Sequence, residues 1–206
     1  MGRIVDLSQV IEDNMPVYPG DIRTNLFQSR YLGVNGYNDH RLDISMHAGT
    51  HVDSPMHMTE SGTYICEAPL EPFIGPGCVL DVRDRSVITL EPEHRQLVKD
   101  KGTVLLYTGW DKFYGEEKYY SGHPVLDEAF CEFLLQKNVR MVGVDMPSPD
   151  LYPFPVHKIL FENGIFIIEN LTNLDKLLGA DFEVTALPLR IKADSSMARV
   201  VARIYE

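Results

Sequence analysis

Between residues 78 and 168, short apolar segments alternate with segments whose apolar side chains recur at helical spacing. This pattern predicts strands over residues 78–82, 103–107, 141–144 and 165–168, and helices over residues 92–99, 127–137 and 156–162. Because strands and helices that alternate along a chain pack into layers, we expect an α/β fold. The order of the strands within the sheet does not follow from these signals.

The first third of the chain carries strand and turn signals instead. We predict strands over residues 4–7, 24–31 and 40–46, separated by turn-rich stretches at residues 16–21 and 33–36. No repeat, low-complexity tract or long linker divides the 206 residues. We therefore expect residues 1–206 to form a single domain, in which a β-rich N-terminal region folds against the α/β part.

The charge and hydropathy patterns exclude two classes of partner. Lys and Arg number 19 against 30 Asp and Glu, which gives a net charge of −11, and no dense basic run occurs. Because nucleic-acid binding depends on clustered Lys and Arg, no nucleic-acid partner is expected. No apolar segment approaches the roughly 18 residues that a membrane-spanning helix needs, so no membrane association is expected either.

Two features indicate the cellular compartment. Asp6, Glu12 and Asp13 interrupt the N-terminal stretch where a signal peptide needs a continuous apolar run. The three cysteines are odd in number, widely spaced and not arranged as a CxxC pair, which is typical of a reducing environment. We predict a cytoplasmic protein.

The stretch HAGTHVDSPMH at residues 47–57 carries the clearest chemical signal. Gly49, Pro55 and the β-branched residues between them argue against a helix here and favour a strand end with a tight turn. In an extended segment, His51 and Asp53 point to the same face because side chains alternate with a period of two. A turn at Gly49 brings His47 back towards them.

Two imidazoles and a carboxylate form a set of metal ligands that suits zinc, manganese or iron(II). His57 is a fourth candidate, either as a further ligand or as a free base, and Pro55 together with the unusual spacing favours a base beside the metal. The alternative is that these histidines are ordinary polar residues in a surface loop. That alternative leaves unexplained why four such groups converge within eleven residues.

This stretch resembles the HxGTHxDxPxH motif of the metal-dependent cyclase and kynurenine formamidase superfamily, and it matches every specified position. The resemblance extends to PGD at residues 19–21, TGWD at 108–111, HP at 123–124, GVD at 143–145 and ENL at 169–171. It implies a swivelling β/β/α domain that assembles as a homodimer or homotetramer. It also implies hydrolysis of an amide or lactam-type C–N bond in a small-molecule substrate.

Carried over to this chain, the resemblance implies five metal ligands, namely His47, His51, Asp53, His157 and Glu169. Asp53 is positioned to bridge two ions, so one or two Zn²⁺ ions per chain are expected, with Mn²⁺ as an alternative. For Glu169 the alternative is a solvated carboxylate at the end of a strand. For His157 the alternative is a structural histidine without a metal-binding role.

The remaining implied roles concern the reaction itself. His57 matches the catalytic proton donor and acceptor, and Tyr18 stands where the formamidases carry a tryptophan that stacks on the ring of the substrate. The expected activity is that of an arylformamidase acting on N-formylkynurenine or a similar aryl amide. The alternatives are a cyclic-amide hydrolase of the isatin type, a cyclase, and a metal- or ligand-binding protein without catalysis.

Overall fold

The computed structural model describes residues 2–205. Its strands are β1 (Ile4–Asp6), β2 (Asn25–Arg30), β3 (Asp39–Asp43), β4 (His51–Asp53), β5 (Ile74–Asp81), β6 (Val87–Ile88), β7 (Thr103–Tyr107), β8 (Val125–Leu126), β9 (Met141–Val144), β10 (Phe166–Glu169), β11 (Phe182–Thr185), β12 (Ser195–Met197) and β13 (Val201–Ile204). Its α-helices are α1 (Leu32–Asn35), α2 (His94–Leu97), α3 (Glu128–Gln136) and α4 (Pro155–Glu162). Short 3₁₀ turns cover Pro55–His57, Ile65–Glu67, Glu71–Phe73, Trp110–Phe113, Glu117–Tyr120 and Leu174–Leu177.

Most of the strands join one mixed sheet in the order β1-β13-β11-β5-β7-β9-β10-β4-β12. The neighbours β5, β7, β9 and β10 run parallel, whereas the strands that flank them on both sides pair in antiparallel fashion. The parallel strands correspond to the four that the alternating apolar segments predicted. The α/β fold class is confirmed.

The parallel strands are covered by apolar side chains on both faces. Leu105 and Leu106 are successive residues of β7 and therefore point to opposite sides of the sheet. Leu106 packs with Leu160 of α4, whereas Leu105 packs in a second cluster with Phe182 of β11. Each face of the sheet thus has its own apolar layer, and the parallel strands are held between the two layers.

The helices follow their sequence signals to different degrees. α3 begins after Asp127, whose side chain accepts a hydrogen bond from the Ala129 amide, close to the start predicted from the sequence. The helix predicted over residues 92–99 is shorter than expected, since α2 spans His94–Leu97. It ends there because the backbone of Val98 is extended, and the Val98 side chain is buried in the core. α3 has nine residues and is the longest helix between residues 2 and 205, so no helix of this part of the chain can cross a bilayer.

The N-terminal strands divide between two locations. β1 pairs with β13 at one edge of the main sheet, and β4 inserts between β10 and β12 near the other edge. β2 and β3 form a separate two-stranded hairpin in which no residue is buried. β1 and β4 thus join the α/β part as expected, whereas the hairpin contributes no buried residue to the core.

Candidate metal centre

The pairing of β4 with β10 places three ligand candidates on one face. His51 is the register partner of Glu169, and Asp53 lies two residues after His51 on the same strand. Val52 points the other way, into an apolar cluster. The His51 Nε2 atom lies 3.3 Å from Asp53 Oδ1 and 3.4 Å from Glu169 Oε2, and all three side chains are buried.

A turn at Gly49 adds His47 to this group, as the sequence predicted. The φ of Gly49 is +66°, and an added Cβ would lie 2.8 Å from Met15 Cε, so both the conformation and the space favour glycine. The turn brings His47 Nδ1 to 3.0 Å from Asp53 Oδ1. The His47 ring meets the His51 ring edge-on at a centroid distance of 5.2 Å.

His157 reaches the same group from α4. Its Nε2 atom lies 3.3 Å from Glu169 Oε1, so the Glu169 carboxylate stands between His51 and His157. On the outer side, His157 Nδ1 lies 2.6 Å from Asp150 Oδ1. Asp150 Oδ2 also accepts hydrogen bonds from the amides of Val156 and His157 in the first turn of α4, at 2.7 and 3.2 Å. Asp150 therefore fixes both the start of the helix and the orientation of the His157 ring.

His57 lies beside this cluster, on the turn that follows β4. Its ring centroid is 4.2 Å from that of His47 and 6.3 Å from that of His157. Its Nδ1 atom lies 3.1 Å from Asp194 Oδ2. Asp194 was not singled out from the sequence; it is 137 positions away from His57, and no local pattern links the two.

Several buried polar atoms of the cluster lack a hydrogen-bond partner, and a bound cation would satisfy them. His51 Nδ1 is directed at the Gly49 carbonyl oxygen, 2.8 Å away, which leaves Nε2 facing two carboxylates. Among residues 2–205, His51 Nε2, Asp53 Oδ1 and Glu169 Oε1 are buried without a hydrogen-bond partner. Leaving such groups unpaired in a protein interior costs several kcal/mol, on the order of 1–3 each. Nitrogen and carboxylate oxygen atoms are donors that suit a divalent cation such as zinc, manganese or iron(II).

The protonation of the cluster reflects these contacts. Burial works against the charged form of His51, yet Asp53 and Glu169 raise its pKa well above the ordinary value. Burial likewise opposes ionisation of Asp53, yet His51 holds the pKa of that carboxyl well below its usual range. For His157, burial is outweighed by Asp150 and Glu169, which raise its pKa to about 10. A cation entering the cluster has to displace these protons.

A pocket opens directly onto the cluster. Its lining includes His57, Glu169 and the aromatic side chains of Tyr18, Tyr120 and Phe154. Tyr18 meets Tyr120 edge-on at a centroid distance of 5.9 Å. The pocket thus combines an apolar, aromatic wall with polar groups at its base, which is the usual composition of a small-molecule site.

Comparisons with proteins of known sequence show similarity over most of the chain. The model of a family described as "Putative cyclase" matches residues 5–151. The kynurenine formamidase of Bacillus cereus is 33% identical over 208 residues, which cover 97% of this chain and 96% of that protein. The kynurenine formamidase of Bacillus cytotoxicus is 30% identical over 204 residues, with the same coverage of 97% and 96%.

Solved structures show the same extent of similarity. Isatin hydrolase A from Labrenzia aggregata aligns with a TM-score of 0.87 at 26% identity, covering 99% of this chain and 94% of that one. A protein from Bacillus stearothermophilus described as a "predicted metal-dependent hydrolase" aligns with a TM-score of 0.81 at 26% identity, covering 98% of both chains. The arrangement of strands and helices is therefore shared along the full length.

Proposed function

The chain belongs to the putative cyclase family, and from this premise we propose that it is an arylformamidase acting on N-formylkynurenine or a similar aryl amide. The broader class is that of a metal-dependent amide hydrolase. One observation carries the proposal: a buried set of imidazole and carboxylate atoms without partners lies at the base of a pocket with aromatic walls.

We assign the metal to the cluster of His47, His51, Asp53, His157 and Glu169. Two groups of possible ligand atoms share Asp53: one belongs to His47, Asp53 and His57, and the other to His51, Asp53 and Glu169. Within each group the atoms lie within 4.8 Å of one another, which supports one or two ions per chain. His157 joins the second group through Glu169, 3.3 Å away. Imidazole and carboxylate donors suit zinc best, and manganese fits the same set. A divalent cation bound there supplies Lewis-acid chemistry, because it polarises an acyl oxygen and lowers the pKa of water.

His57 is the proton carrier in this proposal, although its distance to His47 and Asp53 would also allow it to act as a ligand. Its Nδ1 atom is occupied by Asp194, so Nε2 remains to exchange a proton with the reactants. Burial lowers the pKa of His57, so the ring is neutral at physiological pH. It can then accept a proton from the attacking water and deliver it to the leaving nitrogen.

The pocket wall supports an aryl substrate. Tyr18, Tyr120 and Phe154 line the space in front of the cluster, and aromatic side chains bind aryl rings through offset or edge-on contacts. We assign Tyr18 to substrate binding, in the place of the tryptophan of the formamidases. Its ring keeps the apolar face that such a contact needs.

A cyclic-amide hydrolase is the second candidate. The structural similarity to isatin hydrolase A from Labrenzia aggregata spans 99% of this chain, so a lactam fused to an aryl ring is the natural alternative substrate. Both reactions need the same nucleophile and the same stabilisation of the acyl oxygen. They differ in whether the amide lies inside a ring, which only substrate profiling separates.

The test is hydrolysis of N-formylkynurenine and of isatin by the purified protein, before chelation, after chelation and after readdition of zinc or manganese. Turnover of N-formylkynurenine that disappears with the chelator and returns with the metal is the expected result. Turnover of isatin alone would favour the cyclic-amide alternative. No turnover of either substrate by the metal-loaded protein would refute the proposal.

We further propose a homodimer, with a homotetramer as the alternative. Apolar side chains lie exposed on the hairpin arm (residues 25–43), among them Tyr31, Leu32, Val34 and Tyr37. A two-stranded hairpin is at best marginally stable in water, so a second copy of the chain that covers the arm would stabilise it. Light scattering of the parent should give at least twice the mass of 23.4 kDa. Val34→Asp should lower that mass, and a monomeric parent would contradict the proposal.

We also place the protein in the cytoplasm. Its three cysteines are all free thiols in the structure, which suits a reducing compartment. Fractionation of the native host should recover the activity with cytoplasmic markers, and recovery with an extracytoplasmic fraction would contradict this placement.

A further inference from the structure

Asp194 is anchored beside the metal cluster by its backbone. It immediately precedes the edge strand β12, and the next residue, Ser195, is the register partner of Asp53. The Asp194 carbonyl oxygen accepts hydrogen bonds from the Ser54 amide at 3.2 Å and from the Ser54 hydroxyl at 2.7 Å. The side chain of Asp194 is therefore free to make other contacts from a fixed position.

One oxygen of that side chain contacts two histidine rings. Asp194 Oδ2 lies 2.9 Å from His47 Nε2 and 3.1 Å from His57 Nδ1. The two rings lie close together, with centroids 4.2 Å apart and planes inclined by 39°. A single carboxylate thus sits at the outer edge of both rings.

These contacts decide which ring nitrogens carry hydrogen. An ionised carboxylate only accepts hydrogen bonds, so each ring donates from the nitrogen that faces Asp194. His47 therefore carries a hydrogen on Nε2. Its other nitrogen, Nδ1, lies 3.0 Å from Asp53 Oδ1, and a cation held by Asp53 would take the place of a proton there. His57 carries its hydrogen on Nδ1, which leaves Nε2 bare. His47 Nδ1 is thereby available as a metal ligand, and His57 Nε2 is available as a base.

We propose that Asp194 is a positioning residue that fixes the tautomer and the ring orientation of His47 and His57 together. The inference rests on the proposed function, because that function assigns the ligand role to His47 and the proton-carrier role to His57. Groups that hold histidine ligands from outside typically account for about 10- to 100-fold in metal affinity or activity. The Gly49 carbonyl contacts the His51 ring and Asp150 contacts the His157 ring, whereas Asp194 contacts two histidine rings at once.

The experiment compares Asp194→Asn and Asp194→Ala with the parent. Asp181→Asn is the matched control, because it removes an exposed carboxylate that pairs with Lys99 in a salt bridge. Zinc affinity is measured by competition with a chromogenic chelator, and the histidine tautomers are measured by ¹⁵N NMR of the zinc-loaded proteins. Where the parent turns over substrate, kcat and KM are measured at saturating zinc.

Both Asp194 variants should bind zinc at least about tenfold more weakly than the parent. In both, His57 should lose the single tautomer with hydrogen on Nδ1, and kcat should fall while KM is kept. The Asp181→Asn protein should match the parent in every measurement.

A zinc affinity within about twofold of the parent in both variants would overturn the proposal. An unchanged His57 tautomer would do the same. If Asp194→Ala fails to fold, the isosteric Asp194→Asn protein decides alone. Zinc titration and NMR need no substrate, so a parent protein that leaves N-formylkynurenine intact would refute the proposed function without deciding the role of Asp194.

Discussion

Replacing Asp150 by alanine should destabilise the protein far more than the loss of an ordinary helix cap. The Asp150 carboxylate is buried and accepts three hydrogen bonds, from the Val156 amide, the His157 amide and His157 Nδ1. Alanine leaves all three donors without this partner. Val156 and His157 are themselves buried, so little water is available to replace it.

The magnitude follows from the two kinds of contact. The N-cap residue of α4 is Phe154, but the two amides that donate to Asp150 are those that a capping side chain usually satisfies, and loss of such a contact costs about 0.5–2 kcal/mol. Loss of a hydrogen bond between the charged partners Asp150 and His157 costs about 1.5–3 kcal/mol. The free energy of unfolding should therefore fall by about 2–5 kcal/mol, and Tm should fall by on the order of 10 °C for a chain of this size.

Urea unfolding of the metal-free protein checks this value, with an unchanged m-value as the sign that only stability has changed. Asp127→Ala is the matched control, since Asp127 caps α3 through the Ala129 amide and, among residues 2–205, forms no hydrogen bond or ion pair with a histidine. That control should cost about 1 kcal/mol. The reasoning is refuted if Asp150→Ala costs no more than Asp127→Ala.

Three further outcomes are expected. His51→Ala should fail to retain zinc, which metal analysis checks. His57→Ala should retain zinc but lose about 10²- to 10⁴-fold in kcat, which metal analysis and steady-state kinetics check. Full turnover by His57→Ala would contradict the role of His57 as the proton carrier. Carboxylates outweigh burial and raise the pKa of His157 to about 10, so protons compete with zinc below that pH. Zinc affinity should therefore rise as the pH is raised towards that pKa, and a flat titration would contradict this. Tyr18→Ala should raise KM for N-formylkynurenine and Tyr18→Phe should keep it near the parent value, whereas equal KM values would exclude a ring contact.

The local part of the site follows from the sequence alone. His51 and Asp53 share a face because side chains of a strand alternate, and Gly49 supplies the left-handed turn that returns His47. These relations need only neighbouring residues. The resemblance to the cyclase and kynurenine formamidase family is confirmed as well, because the family model matches residues 5–151 and a kynurenine formamidase is 33% identical over 97% of this chain.

The long-range part of the site does not follow from local patterns. Glu169 faces His51 only because β4 inserts beside β10, and strand order leaves no periodic signal in the sequence. The resemblance to a family, rather than spacing, pointed to Glu169. Asp194 lies at the start of β12, and its contact with His57 depends on the pairing of β12 with β4. The roles assigned to these residues remain predictions.

The most direct test of the metal centre is anomalous diffraction from zinc-loaded crystals, recorded on both sides of the zinc absorption edge. The account predicts an anomalous peak in the buried cluster, at the position of a zinc ion that lies about 2.0–2.2 Å from His51 Nε2 and from Asp53 Oδ1. A loaded crystal whose anomalous peaks all lie outside the cluster would contradict it.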